Sequence, residues 1–377
     1  MMRRLLAALI TCSLPLVAQA NAVPEPPDVD ASSYVLMDFH SGQVLADKAG
    51  DKAVEPASIT KVMTVYVAFD ELKAGHISLD DDVLISEKAW RSEGSRSFVE
   101  VGKRVRLEDL LHGIIIQSGN DASIALAEHI AGDESVFAQL MNKHAQRLGM
   151  KNTHFTNASG LPDPALQTTA HDIALLSQAL IRDFPDLYPW FKDTEFVYNG
   201  IRQRNRNQLL YEDRSVDGIK TGHTNAAGYC LAASAVRDNR RLITVVMGTD
   251  SPRARTRASR ALLEYGYRFF ETAQLFGADK PVDTLRVYKG VQPSVTVGVP
   301  APIALSLPRD AGSRLQVQHT INGPLEAPLA AGQPIGTLTV TLDGTTLRSE
   351  TLVTLEAVPE GSLWQRAADT VRLWLAD

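Results

Sequence analysis

The chain has 377 residues, 44% hydrophobic and 22% charged, which is long enough for two domains and the ordinary composition of a folded chain. Its formal charge of −6 gives no basic footprint for nucleic acid, so no nucleic-acid partner is expected. No C-x-x-C, H-E-x-x-H or P-loop pattern occurs, and neither a metal nor another cofactor is expected.

Met1-Met2-Arg3-Arg4, the apolar stretch 5–17 and Ala18-Gln19-Ala20 follow the order of a secretory signal: charged start, short apolar run, A-x-A site. Residues 1–20 are read as a cleaved signal peptide. Its removal takes Cys12 with it and leaves Cys230 alone, so no disulfide within the mature chain is expected. Cys230, in an apolar strand-like run, reads as a small buried hydrophobe.

After a proline-rich leader, Tyr34-Val35-Leu36-Met37-Asp38 and Gln43-Val44-Leu45-Ala46 flank His40-Ser41-Gly42 as a hairpin. Pro56-Ala57-Ser58-Ile59-Thr60-Lys61 then opens an apolar helical run that stops before Gly75. A helix starting there sets Ser58 and Lys61, three residues apart, side by side: a hydroxyl nucleophile next to an amine base. The unsatisfied N–H groups of a helix start favour negative charge beside the serine. Lysine is a base only when neutral, which requires desolvation or a second cation, and Lys220 downstream is the expected cation.

Residues 76–104 read as loop and short strand. Helical periodicity returns at 107–116, 122–131, 134–148 and 171–182, with Ser118-Gly119-Asn120 at the break between the first two. From Val216 the pattern is strand-like, in three runs through Gly248, with Arg237-Asp238-Asn239-Arg240 as a turn; residues 257–270 close the unit as a helix. Strands at both ends with helices between them predict an α/β (α+β) domain over 28–275, its antiparallel sheet flanked by helices.

Residues 282–358 alternate apolar and polar with Asp343-Gly344 as a hairpin turn, a small all-β sandwich. In the last segment, 361–377, Trp364, Ala367, Ala368, Val371, Trp374 and Leu375 share one helical face, with Arg366, Asp369 and Arg372 opposite. That amphipathic helix suits a membrane surface, lying in its plane; docking on the β domain is the competing reading.

Ser58-x-x-Lys61, Ser118-Gly119-Asn120 and Lys220-Thr221-Gly222 occur in the order of the S-x-x-K, S-D-N and K-T-G motifs of penicillin-binding proteins and class A β-lactamases. With the surroundings 56–64, 117–123, 200–207 and 217–224, the chain resembles low-molecular-mass penicillin-binding proteins of the D-alanyl-D-alanine carboxypeptidase family. The resemblance runs over 34–270 and, more loosely, to the end. S-G-N in place of S-D-N, and the lack of an E-x-x-L-N stretch, favour this family over class A β-lactamases. It implies an exported, periplasmic enzyme, held at the outer face of the cytoplasmic membrane by the C-terminal helix. It would remove D-alanine from peptidoglycan pentapeptides and be acylated by β-lactams.

Carried over residue by residue, Ser58 is the nucleophile, Lys61 its base and Ser118 the proton relay. Asn120 holds the substrate amide, and Lys220, Thr221, Gly222 and His223 line the substrate strand. The backbone N–H groups of Ser58 and His223 form the oxyanion hole. Thr221 and Arg255, with Arg253 as second choice, grip the terminal carboxylate. Residues 148–170 resemble the loop that floors the cleft. A serine β-lactamase, a D,D-endopeptidase and a weakly catalytic cell-shape protein are the alternatives.

Overall fold

A computed structural model describes residues 23–375; the expected signal peptide lies outside the described residues. Five strands form one antiparallel sheet: β1 (Ser33–Asp38), β2 (Val44–Lys48), β3 (Val216–Thr224), β4 (Gly228–Arg237) and β5 (Arg240–Thr249), in the order β2-β1-β5-β4-β3. The N-terminal hairpin thus completes a sheet whose other strands lie some 170 residues further on. Arg237 pairs with Arg240 across Asp238 and Asn239, both left-handed, which is the two-residue hairpin read from the sequence. Strand β3 is an edge strand.

Alternation along the strands divides the core into two layers. Val35, Met37, Ala232, Ile243 and Val245 face the helices α1 (Lys61–Ala74), α2 (Leu107–His112), α3 (Asn120–Ala131), α4 (Glu134–Arg147) and α5 (Ala170–Asp183). Leu36, Leu231, Ala233 and Val246 face α6 (Pro252–Phe269) on the other side. Every residue of α1 from Lys61 through Phe69 is buried, which makes it the central helix of the domain. Gly75, left-handed at φ 75°, ends it. Helix α6 starts five residues before the expected position, because Ser251 caps the N–H of Ala254 and Pro252 occupies the first turn.

Residues 270–275, the end of the domain expected over 28–275, lie in a strand, Phe270–Phe276, that pairs with Ile303–Pro308 of the β domain. The main sheet there has six strands, in the order Leu315–Ile321, Pro334–Leu342, Thr345–Thr354, Ser294–Gly298, Pro281–Tyr288, Leu325–Glu326. Val295, Val297, Leu338 and Leu352 fill one cluster against it, and Leu305, Leu307 and Val340 a second. Asp343 and Gly344 are both left-handed, as their hairpin turn demands.

Helix α7 (Leu363–Trp374) starts at a capping box of Ser362 and Gln365. It rests on the β domain by its polar side. The Asp369 carboxylate, 9% exposed, accepts the Lys289 backbone N–H at 2.7 Å, and Arg366 pairs with Glu360 at 2.7 Å. Trp364 (87%), Trp374 (79%) and Leu375 (72%) stay exposed. The helix is docked, but the apolar face is not what docks. Among the described residues no helix is long and apolar enough to cross a membrane.

Candidate active site

Ser58 does not lie on the α-helix. Ala57–Thr60 form a single 3₁₀ turn, and α1 begins at Lys61. Side chains three apart eclipse one another in that geometry, which brings Lys61 Nζ to 3.1 Å from Ser58 Oγ. Lys61, fully buried, also donates to Asn120 Oδ1 at 2.7 Å and to the Ser159 carbonyl at 2.5 Å. An ammonium would spend its three hydrogens on these three oxygens. A neutral amine spends two on Asn120 and Ser159 and turns its lone pair toward the serine hydroxyl, the arrangement of a base.

Burial lowers the Lys61 pKa to about 7, helped by the Arg206 guanidinium and opposed by the Asp121 carboxylate. Lys220, 3% exposed, is itself pushed well below its ordinary range, by burial first and then by Lys61. Desolvation is thus the largest cause at Lys61 and the Arg206 guanidinium the next, while the two buried lysines, Lys61 and Lys220, disfavour each other's charge.

Ser118 and Asn120 come from the break between α2 and α3. The segment Gly113–Gln117 widens into a π turn, and Ser118 follows in the left-handed region at φ 69°. Its hydroxyl is buried, has no hydrogen-bond partner among the described residues and lines the cleft. Asn120, expected on the substrate amide, gives its carbonyl to Lys61 and donates through Nδ2 to the Glu93 carbonyl at 2.6 Å. Beside it the fully buried Asp121 carboxylate accepts the N–H groups of Ser97 (2.7 Å), Phe98 (2.9 Å) and Ala122 (2.9 Å), tying residues 97–98 over the turn.

Lys220-Thr221-Gly222-His223 lies on the edge strand β3. A Cβ on Gly222 would meet the Pro56 carbonyl and Ile59 Cγ1, each at 3.1 Å, so glycine lets the strand pack against the serine turn. Lys220 Nζ reaches only the Thr221 carbonyl, at 3.4 Å, among the described residues. The exposed His223 ring stacks on Tyr229 with centroids 4.0 Å apart. Arg255 is on α6 rather than on a strand. It is 6% exposed and donates to the Gly222 carbonyl at 3.0 Å, and burial pulls its pKa down to about 10. Arg253 also lines the cleft but stays exposed.

Two contributors carry no role in the sequence reading. Ser159 reaches Lys61 through its backbone, which no side-chain pattern announces. The Asn157 side chain sets that turn by accepting the N–H groups of Ser159 (3.1 Å) and Gly160 (2.7 Å). Arg206 sits in a segment where Gln203, Asn205 and Asn207 are buried while Arg204 and Arg206 point into the cleft. Asn207 Nδ2 pins this segment to the Gly218 carbonyl of β3 at 2.9 Å. The period-two run of amides and arginines is the signal that could have marked it.

The model of the D-alanyl-D-alanine carboxypeptidase family matches residues 19–251, and that of the penicillin-binding protein 5 C-terminal domain matches residues 270–360. D-alanyl-D-alanine carboxypeptidase DacA of Escherichia coli K12 is 41% identical over 359 residues, covering 93% of this chain and 89% of the relative. DacC of the same organism is 42% identical over 367 residues, covering 95% and 92%. The crystal structure of penicillin-binding protein 5 from Haemophilus influenzae superposes with a TM-score of 0.86 at 41% identity, over 89% of this chain and 100% of that one. Both family matches and the structural superposition agree, and the chain belongs to the D-alanyl-D-alanine carboxypeptidase family.

Proposed function

We infer that the chain works as a serine D,D-carboxypeptidase of the cell wall, with Ser58 as the acylated residue. The observation that carries this reading is Lys61: a buried amine, lowered to about pH 7, whose free direction is the serine hydroxyl.

In the step proposed, Lys61 takes the Ser58 proton as Oγ attacks the carbonyl of the terminal D-alanyl-D-alanine bond. The N–H groups of Ser58 and His223 receive the oxyanion; one such donor is worth roughly 3–4 kcal/mol in comparable sites. The C–N bond breaks, the leaving amine takes a proton through Ser118, and D-alanine departs. Water then attacks the ester with Lys61 again as base, which regenerates Ser58 and releases the shortened peptide. A β-lactam follows the first step, but its opened ring stays attached.

The free edge of β3 supports binding of the peptide stem as an added strand, with Asn120 beside its amide. Thr221 and Arg255 would hold the terminal carboxylate. An anion there raises the Lys220 pKa and favours its charged form.

We place the enzyme outside the cytoplasmic membrane, exported by the segment 1–20 and attached by α7. The exposed face of Trp364, Val371, Trp374 and Leu375, opposite a docked polar face, supports attachment to a lipid surface. The test of the activity is release of D-alanine from a diacetyl-Lys-D-Ala-D-Ala peptide by wild type and by Ser58→Ala. Release by wild type alone supports the reading, and equal release by both overturns it.

A further inference from the structure

Resting on the membrane reading of α7, we propose that the groove between α7 and the Tyr288–Pro293 loop of the β domain is a headgroup site for an anionic phospholipid, with Val291 as a second lipid contact.

The groove runs along the side of α7 where its apolar face meets its docked face. Trp364, Ala368 and Arg372, each one turn from the next, form its helix wall, and Arg286, Val291 and Pro293 form the wall opposite. Trp364 and Val291 are 87% and 56% exposed, so two apolar side chains from different elements stand at the mouth of one groove. A tryptophan in that position suits headgroup depth, where an apolar ring meets polar surroundings. With the apolar face of α7 on a bilayer, the groove opens beside the lipid phosphates.

The charge inside fits an anion. The Arg286 guanidinium lies 4.7 Å above the Tyr288 ring, and among the described residues no carboxylate pairs with it. Arg372 donates to Asp369 Oδ1 at 2.9 Å while its side chain remains 61% exposed. Asp369 is already committed to the Lys289 N–H and to Arg372. Two guanidiniums thus face one carboxylate, leaving one positive charge in a groove whose remaining lining is uncharged. A lipid phosphate satisfies that charge and brings acyl chains to Trp364 and Val291. Free phosphate would satisfy the charge alone.

The test uses the mature full-length chain and vesicles of phosphatidylcholine, with and without phosphatidylglycerol, read by sedimentation. Wild type is expected to bind both and to prefer the anionic vesicles. Arg286→Gln should weaken binding to anionic vesicles by about fivefold, the share of one arginine near such a surface, and leave binding to phosphatidylcholine unchanged. Arg348→Gln, the same charge change on a distant strand of the β domain, should leave both unchanged. Val291→Asp should weaken binding to both vesicle types.

An equal loss in Arg286→Gln and Arg348→Gln overturns the groove and leaves only general charge attraction. So does full retention of binding by Arg286→Gln, or displacement of Val291→Asp and wild type alike by millimolar inorganic phosphate. Failure of wild type to bind either vesicle overturns the membrane reading itself, a result distinct from failure of the groove.

Discussion

Lys61 Nζ lies 2.5 Å from the carbonyl oxygen of Ser159, a residue 98 positions further along the chain. With Asn120 this contact takes two of the amine's hydrogens and fixes the remaining direction on Ser58. A fully buried ammonium with no carboxylate among its hydrogen-bond partners is costly, and burial lowers the lysine's pKa to about 7.

The first expected consequence is a pH dependence. Acylation of Ser58 requires neutral Lys61, so its rate should rise as pH increases through about 7. Removing the Arg206 charge by Arg206→Gln raises the Lys61 pKa, and the rising limb should move to higher pH. Rates of acylation by penicillin across pH 5–9 check this, and an unmoved limb in the variant means that Arg206 does not act on Lys61.

Asp121→Asn should move that limb the other way, because the carboxylate raises the Lys61 pKa and the amide does not. The variant should also lose about 1–3 kcal/mol of stability, since an amide cannot accept every N–H that the buried carboxylate accepts now. A pH profile and a denaturant melt on one preparation separate the two effects.

Gly160→Ala should impair both fold and site. Gly160 has φ 78°, and a Cβ there would fall 1.8 Å from the Ala57 carbonyl oxygen, in the turn that carries Ser58. A destabilisation of about 2–4 kcal/mol with loss of acylation is expected, measured by thermal unfolding and penicillin labelling. Gly75→Ala serves as the comparison: φ is similar, but nothing stands within 4 Å, so acylation should persist.

Deleting residues 362–377 should release the protein from membranes while D-alanine release from a soluble peptide continues, because α7 packs on the β domain and its apolar face is exposed. Fractionation of cells expressing the shortened chain checks this. Continued sedimentation with membranes would place the attachment elsewhere.

Much of this was legible in the sequence because it resides in side-chain type and spacing. The three motifs lie at a helix start, a helix break and an edge strand, each announced by local patterns, and the strand runs at both ends foretell a sheet closed by distant segments. The parts that were not legible depend on backbone and on field. Ser159 acts through a carbonyl, and Arg206 acts through a charge whose reach depends on burial. The burial of Arg255 and the exposure of Arg253 depend on which face of α6 meets Gly222. Which side of α7 docks escaped for a related reason: amphipathicity marks an apolar face, but here Asp369, capping the Lys289 N–H, made the polar face the one that docks.

The most direct test of the central claim is intact-mass spectrometry of the protein, lacking its signal and tail, after mixing with penicillin, with D-alanine release from diacetyl-Lys-D-Ala-D-Ala followed in parallel. A single penicillin adduct that maps to Ser58, together with D-alanine release that Ser58→Ala abolishes, is the expected result. An adduct retained in Ser58→Ala, or no adduct and no release from the wild type, would contradict the assignment of Ser58 and Lys61 as nucleophile and base.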